Sequence, residues 1–169
     1  MTDQYDALSA LNRQIEHPRT DTGLLARLRR SHPGIEGVRG ALFETQAILL
    51  AAELDPPPDQ LPSWALLVHC LALTHGRHRS GLSTGRILAE IHYSESRMRQ
   101  LMEADEPLLC DLLPRLARRL ATTGREIDWW PFANLLGLGK TSPDEARQRL
   151  IHGFLRASQN SSRLQGDPA

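Results

Sequence analysis

Leucine and alanine dominate the apolar residues of this chain, and that bias limits its fold more than any motif does. There are 29 Leu and 17 Ala against 2 Val, 3 Phe and 2 Tyr. Strands draw on Val, Ile, Thr and aromatic side chains that pack on a pleated surface, whereas unbranched Leu and Ala cost little to hold in a helix. The balance therefore predicts an all-α fold. Glycine and proline cut the sequence into short stretches, so its 169 residues predict one compact bundle of about eight short helices over residues 1–158. Residues 159–169, polar and closing on Gly-Asp-Pro-Ala, read as a disordered tail.

Apolar spacing places the helices. Ala7, Leu8, Leu11 and Ile15 mark one over 3–16, stopped before Pro18. Thr20 or Asp21 can cap the next, with Leu24, Leu25 and Leu28 as its stripe, ended by Pro33-Gly34. A long periodic run over 35–54 leads into the stiff Asp55-Pro-Pro-Pro58 connector, which divides the N-terminal from the C-terminal helices. Ser63 is the expected cap of a helix reaching Thr74, with Trp64, Leu67, Val68 and Leu71 on one face. Further helices are expected over 84–92, 94–104, 107–123, 129–136 and 143–158, with Pro114 kinking or splitting the third of these. No apolar run approaches the ~20 residues of a membrane span. The polar N-terminus is not that of a signal peptide. Cys70 and Cys110 lie in Leu-rich helical sequence, as buried thiols of a reducing cytoplasm would.

Chemistry at a catalytic centre finds little support. His69, Cys70, His75 and His78 cluster without the second ligand pair that structural zinc needs. There is no nucleophile elbow, phosphate-cradling glycine loop or His-Glu-x-x-His helix. All-α ribonucleases place His four to six residues after Arg, as in Arg147…His152, Arg27…His32 and Arg86…His92. Chance placement of 19 Arg and 7 His supplies about 2.4 such pairs, so three carry no weight. No metal or cofactor is expected.

Charge is more informative. The formal net charge is zero, yet charge is sorted into blocks: 41–63 carries −4 with no base, and 112–125 carries +4. A folded chain with such blocks can present one basic and one acidic face. Arg115, Arg118 and Arg119 stand at i, i+3 and i+4 opposite Leu113, Leu116 and Leu120, and Arg27, Arg29 and Arg30 repeat the theme beside Leu28. Like charges this close repel, a cost that a polyanion would relieve. Over 87–101 the sequence is similar to a helix-turn-helix, with Ser94 capping a second helix that carries Arg97 and Arg99 on either side of Met98. His92 stands where such a turn favours Gly. A free-standing DNA-binding regulator is the alternative reading that this segment supports.

Several segments, in matching order, resemble one family: CasB, the small subunit of the type I-E CRISPR Cascade surveillance complex. They are Gly23-Leu-Leu-Ala-Arg-Leu-Arg-Arg30, Trp64-Ala-Leu-Leu-Val-His-Cys-Leu-Ala-Leu73, Gly81-Leu-Ser-Thr-Gly-Arg-Ile-Leu-Ala89, Ser94-Glu-Ser-Arg-Met-Arg-Gln-Leu-Met-Glu-Ala-Asp105, Ile127-Asp-Trp-Trp-Pro-Phe-Ala-Asn-Leu-Leu136 and Glu145-Ala-Arg-Gln-Arg-Leu-Ile-His-Gly-Phe154. The resemblance spans about 20–158 and implies a non-enzymatic, all-α cytoplasmic protein. It further implies two copies packed head to tail beside other Cascade subunits, bracing the duplex of crRNA and target DNA and holding the displaced non-target strand. The positions matching the family's basic surface are Arg30, Arg86, Arg97, Arg115 and Lys140. Arg27, Arg29, Arg99, Arg118 and Arg119 join them on charge. Glu103 departs from the family pattern, as does a stretch about three residues longer after Arg115. Trp129 is expected to pack in the core.

Overall fold

The computed structural model describes residues 4–33 and 40–165, and among these the fold is all-helical. In chain order the helices are α1 (Gln4–Glu16), α2 (Thr22–Arg30), α3 (Leu42–Ala51), α4 (Leu61–Leu73), α5 (Thr84–Glu90), α6 (Glu95–Glu103), α7 (Glu106–Thr123), α8 (Trp130–Leu135) and α9 (Pro143–Gln165). No described helix is long and apolar enough to cross a membrane.

Helix α4 is the axis of the N-terminal part. Every residue from Trp64 to Ala72 is buried, because α1, α2, α3 and α7 all pack on it. The single stripe expected from its sequence is therefore the visible part of an all-round apolar surface. At the other end of the molecule α9 crosses α5 with almost no side chain between them. A Cβ on Gly85 would run into the Leu150 carbonyl and sit 2.8 Å from the Phe154 nitrogen, so only glycine lets the two backbones meet. Between these parts, the 75–83 loop and the 125–129 segment are tied by paired backbone hydrogen bonds from Arg79 N to Ile127 O (2.9 Å) and from Ile127 N to Arg77 O (3.1 Å). Trp129 is fully buried there, its ring 5.3 Å from that of Phe132.

Three local expectations need correction. Helix α4 starts at Leu61, with Pro62 in its first turn, and Ser63 does not cap it; the Ser63 hydroxyl instead donates to Leu136 O at 3.4 Å. Pro suits a first turn because its missing N–H is one that no intrahelical carbonyl would accept. Helix α7 is not split: it runs from Glu106 to Thr123 through a buried Pro114. It is opened by the Asp105 carboxylate, which accepts from Leu108 N, and closed by left-handed Gly124. Helix α9 continues past residue 158 to Gln165, since no Gly or Pro intervenes; within it the hydroxyls of Ser158, Ser161 and Ser162 donate to the carbonyls four residues back. Of the 35–54 run, 35–39 lies outside the described residues and the α-helix covers Leu42–Ala51. Cys70 is fully buried and Cys110 only half-buried.

Arginine closes four of the helices from a distance. Arg29 of α2 donates to Ala72 O at the end of α4 (2.8 Å), and Arg77 to Ala121 O in the last turn of α7 (3.2 Å). Arg119 of α7 donates to Ile91 O and His92 O just beyond α5 (3.1 and 3.0 Å), and Arg147 of α9 to Ala104 O at the end of α6 (3.3 Å). Each satisfies carbonyls that a helix leaves without an intrahelical partner, and each puts positive charge at the negative end of a helix dipole.

Candidate nucleic-acid interface

Helix α7 is amphipathic in the sense expected. Leu109, Leu112, Leu113, Leu116, Ala117 and Leu120 are buried against the bundle, whereas Arg115 and Arg118 are exposed and make no hydrogen bond or ion pair with a described residue. Two neighbouring helix ends extend this face.

On one side lies the end of α2. His69 of α4 has Nδ1 2.7 Å from Leu28 O and 3.3 Å from the Ser31 hydroxyl, so Nδ1–H donates to the Leu28 carbonyl. Burial first, then the positive charges of Arg118 and His32, hold the His69 pKa below the usual imidazole range. Helices α2 and α7 both pack on α4, and Arg30 is the exposed last residue of α2.

On the other side lies the α5–α6 turn. Arg119 reaches across it to the Ile91 and His92 carbonyls, and the Tyr93 hydroxyl, its pKa raised by burial, feels the opposing charges of Arg97 and Arg119. Ser94 caps α6 by accepting from Arg97 N at 3.3 Å, and Met98, Leu101 and Met102 anchor the helix in the core. His92 adopts φ +56°, the left-handed conformation in which a turn here favours glycine. The exposed cations Arg30, Arg115, Arg118 and Arg97 come from three helices, α2, α7 and α6.

The remaining sequence candidates have partners inside the chain or lie elsewhere on it. Arg29 and Arg119 are helix-closing residues, with the Nε of Arg119 buried and unpaired. Arg27 is held by Glu44 at 2.6 Å and lies 3.9 Å from Asp21. Arg99 is exposed but stands about 200° around α6 from Arg97, so the two cannot serve one face. Lys140 is exposed in the α8–α9 loop.

Arg86 belongs to a different place, a groove of about 610 Å³ between α5 and α9 lined by Ser83, Arg86, Glu90, His152, Arg156 and Asn160. Glu90 accepts hydrogen bonds from Arg86 and Arg125, which hold its carboxyl below the usual range. Arg156 faces this groove and makes no ion pair with a described residue. Charge clustering does not single it out, although its spacing four residues after His152 was available as a signal. The Arg147…His152 pair is divided, with Arg147 bound to Asp144 and Ala104 O and His152 in the groove. The clustered His69, His75 and His78 are likewise spent separately, on Leu28 O, Arg29 and Trp129 N. Among the described residues no group of three or more His, Cys, Asp or Glu could hold a metal ion.

Residues 24–154 match the family model of CRISPR-associated protein Cse2. The chain belongs to that family, the one also called CasB. No curated protein matches the chain. Among solved structures, the fold is similar to a chain in the crystal structure of E. coli Cascade bound to a PAM-containing double-stranded DNA target, with 26% identity and a TM-score of 0.67. The likeness covers 90% of this Cse2-family chain and 96% of that one.

Proposed function

We propose that this chain is a non-catalytic small subunit of a Cascade complex, and that the cations spread over α2, α7 and α6 follow nucleic-acid phosphates. In this reading Arg30, Arg97, Arg115 and Arg118 brace the duplex of crRNA and target DNA and hold the displaced non-target strand, with a second copy packed head to tail and other Cascade subunits alongside. Family membership and the likeness to a chain of DNA-bound E. coli Cascade support the assembly. The observation that carries the site is the outer face of α7, where Arg115 and Arg118 are exposed and pair with no described residue, beside the α5–α6 turn that Arg119 bonds and Arg97 follows. In such complexes base pairing reads sequence, so the protein needs backbone-tracking cations and no code for base edges. A zero net charge is compatible with this, because the basic track is local.

The test is the combined substitution of Arg97, Arg115 and Arg118 by Ala, leaving the helix-closing Arg119 intact. Assembled with its complex, this variant is expected to shorten R-loop lifetime and flatten its salt dependence by roughly 0.7–0.9 in log–log slope for each phosphate that is no longer neutralised. Wild-type lifetime and slope would reject the assigned face. A free-standing regulator would instead show a footprint on one preferred duplex sequence.

A further inference from the structure

The acidic part of the molecule carries an apolar surface that the nucleic-acid reading does not use. Among the described residues Phe43 and Leu50 are the most exposed large hydrophobics, at 75% and 66%. Seven residues apart on α3, they lie on one helix face with Ala47 between them. Beside Leu50 runs a groove of about 430 Å³ lined by Gln46, Leu49, Leu54, Leu61 and the Pro56-Pro-Pro58 connector. Proline fixes the backbone of that wall, so little ordering is needed when something docks against it. Asp55 lines the groove, Glu53 and Asp59 close to it in sequence are also exposed, none of the three pairs with a described residue, and 41–63 contains no Lys or Arg. Phosphate would be repelled here.

We infer that the α3 face and its proline-walled groove dock a basic, apolar-faced helix of a different protein chain. Exposed Phe and Leu call for an apolar stripe on the partner, and three unpaired carboxylates close by in sequence call for Arg or Lys beside that stripe. A second copy of this chain is a poorer match: its exposed apolar residues on α9, Ile151 and Leu155, are only 37% and 42% exposed, Arg149 is paired with Glu145, and Arg156 lines the groove that holds Glu90. The inference concerns protein docking and stands whether or not the α7 track binds nucleic acid.

Two measurements test it. First, the full-length chain is titrated into a fluorescein-labelled 18-residue helix of Leu and Arg, and separately into its Leu and Glu counterpart. Binding of the Leu/Arg helix alone is expected, weakened about tenfold by Phe43→Ser with Leu50→Ser and severalfold by Glu53→Gln with Asp55→Asn and Asp59→Asn. Equal binding of both helices, or no loss in the variants, overturns the proposal. Second, p-benzoylphenylalanine replaces Leu50 in the complex purified with this chain, and photo-crosslinked peptides are sequenced. A crosslink to an Arg- or Lys-flanked apolar helix of another protein is the expected result. Crosslinks to nucleic acid, to α9 of a second copy or to this chain's own segment 34–39, or no crosslink at all, overturn it. Loss of R-loop stability in the arginine variants with intact crosslinking separates this surface from the α7 track.

Discussion

Arg119 and Arg115 look interchangeable as members of one cationic cluster, but the structure gives only Arg119 a partner inside the chain. One Arg119 nitrogen donates to Ile91 O at 3.1 Å and to His92 O at 3.0 Å, closing the turn between α5 and α6. A hydrogen bond involving a charged group contributes about 1.5–3 kcal/mol. Sharing one nitrogen, and replaceable in part by water, the two together are expected to contribute about 2 kcal/mol. Arg119→Ala should therefore lower the urea-unfolding free energy by about that amount, and Tm by about 4–8 °C for a domain of this size. Arg119→Lys should regain less than half, because a compact ammonium cannot reproduce the reach of a planar guanidinium. Arg115→Ala and Arg118→Ala, at exposed positions without partners, should leave stability within about 0.5 kcal/mol. Urea titrations followed by circular dichroism on the isolated chain measure all four. If Arg119→Ala unfolds like the wild type while Arg115→Ala is destabilised, the division of labour between them is wrong.

Other expectations follow from particular residues. Gly85→Ala should cost about 3 kcal/mol or more, since its methyl meets main-chain atoms of α9, whereas Gly153→Ala, facing the Ser83 hydroxyl at 3.2 Å, should cost far less; similar unfolding midpoints for the two would contradict the tight crossing. His92→Gly should stabilise the chain by about 0.5–1 kcal/mol by relieving a left-handed backbone, read as a higher Tm. His69, His75 and His78 all have lowered pKa values, burial being the largest cause in each. The unfolded chain therefore binds protons that the folded chain refuses, so stability is full above about pH 6.5 and declines as pH falls below it. For His78 protonation also costs the hydrogen bond that Nδ1 accepts from Trp129 N at 3.1 Å. A urea midpoint unchanged on acidification from about pH 7.5 to 5.5 would refute this.

The helices were legible because burial here follows leucine spacing closely. Met98, Leu101 and Met102 on α6, and Leu113, Leu116 and Leu120 on α7, are all buried as their periodicity required, leaving Arg97, Arg115 and Arg118 exposed. The roles of individual arginines were not legible in the same way. Nothing in the local sequence separates Arg29 from Arg30, yet one reaches a carbonyl 43 residues away and the other makes no described pair. Spacing along a helix gives the face a side chain occupies, whereas its partner depends on which helix end packs opposite. Ser63 failed as a cap for a similar reason, because Leu136, just past α8, offered its hydroxyl a carbonyl. The last turns of α9 were missed because polar composition alone does not end a helix, and no Gly or Pro interrupts the chain between Phe154 and Gln165.

Nineteen of the twenty basic residues are arginine, and the long-range closure of α4, α5, α6 and α7 gives that ratio a mechanical meaning. Recoding those four positions to lysine would conserve every charge while removing the planar forks that hold four helix ends. Those ends are in that sense pinned from afar, by residues that neither flank them nor belong to the same segment of chain.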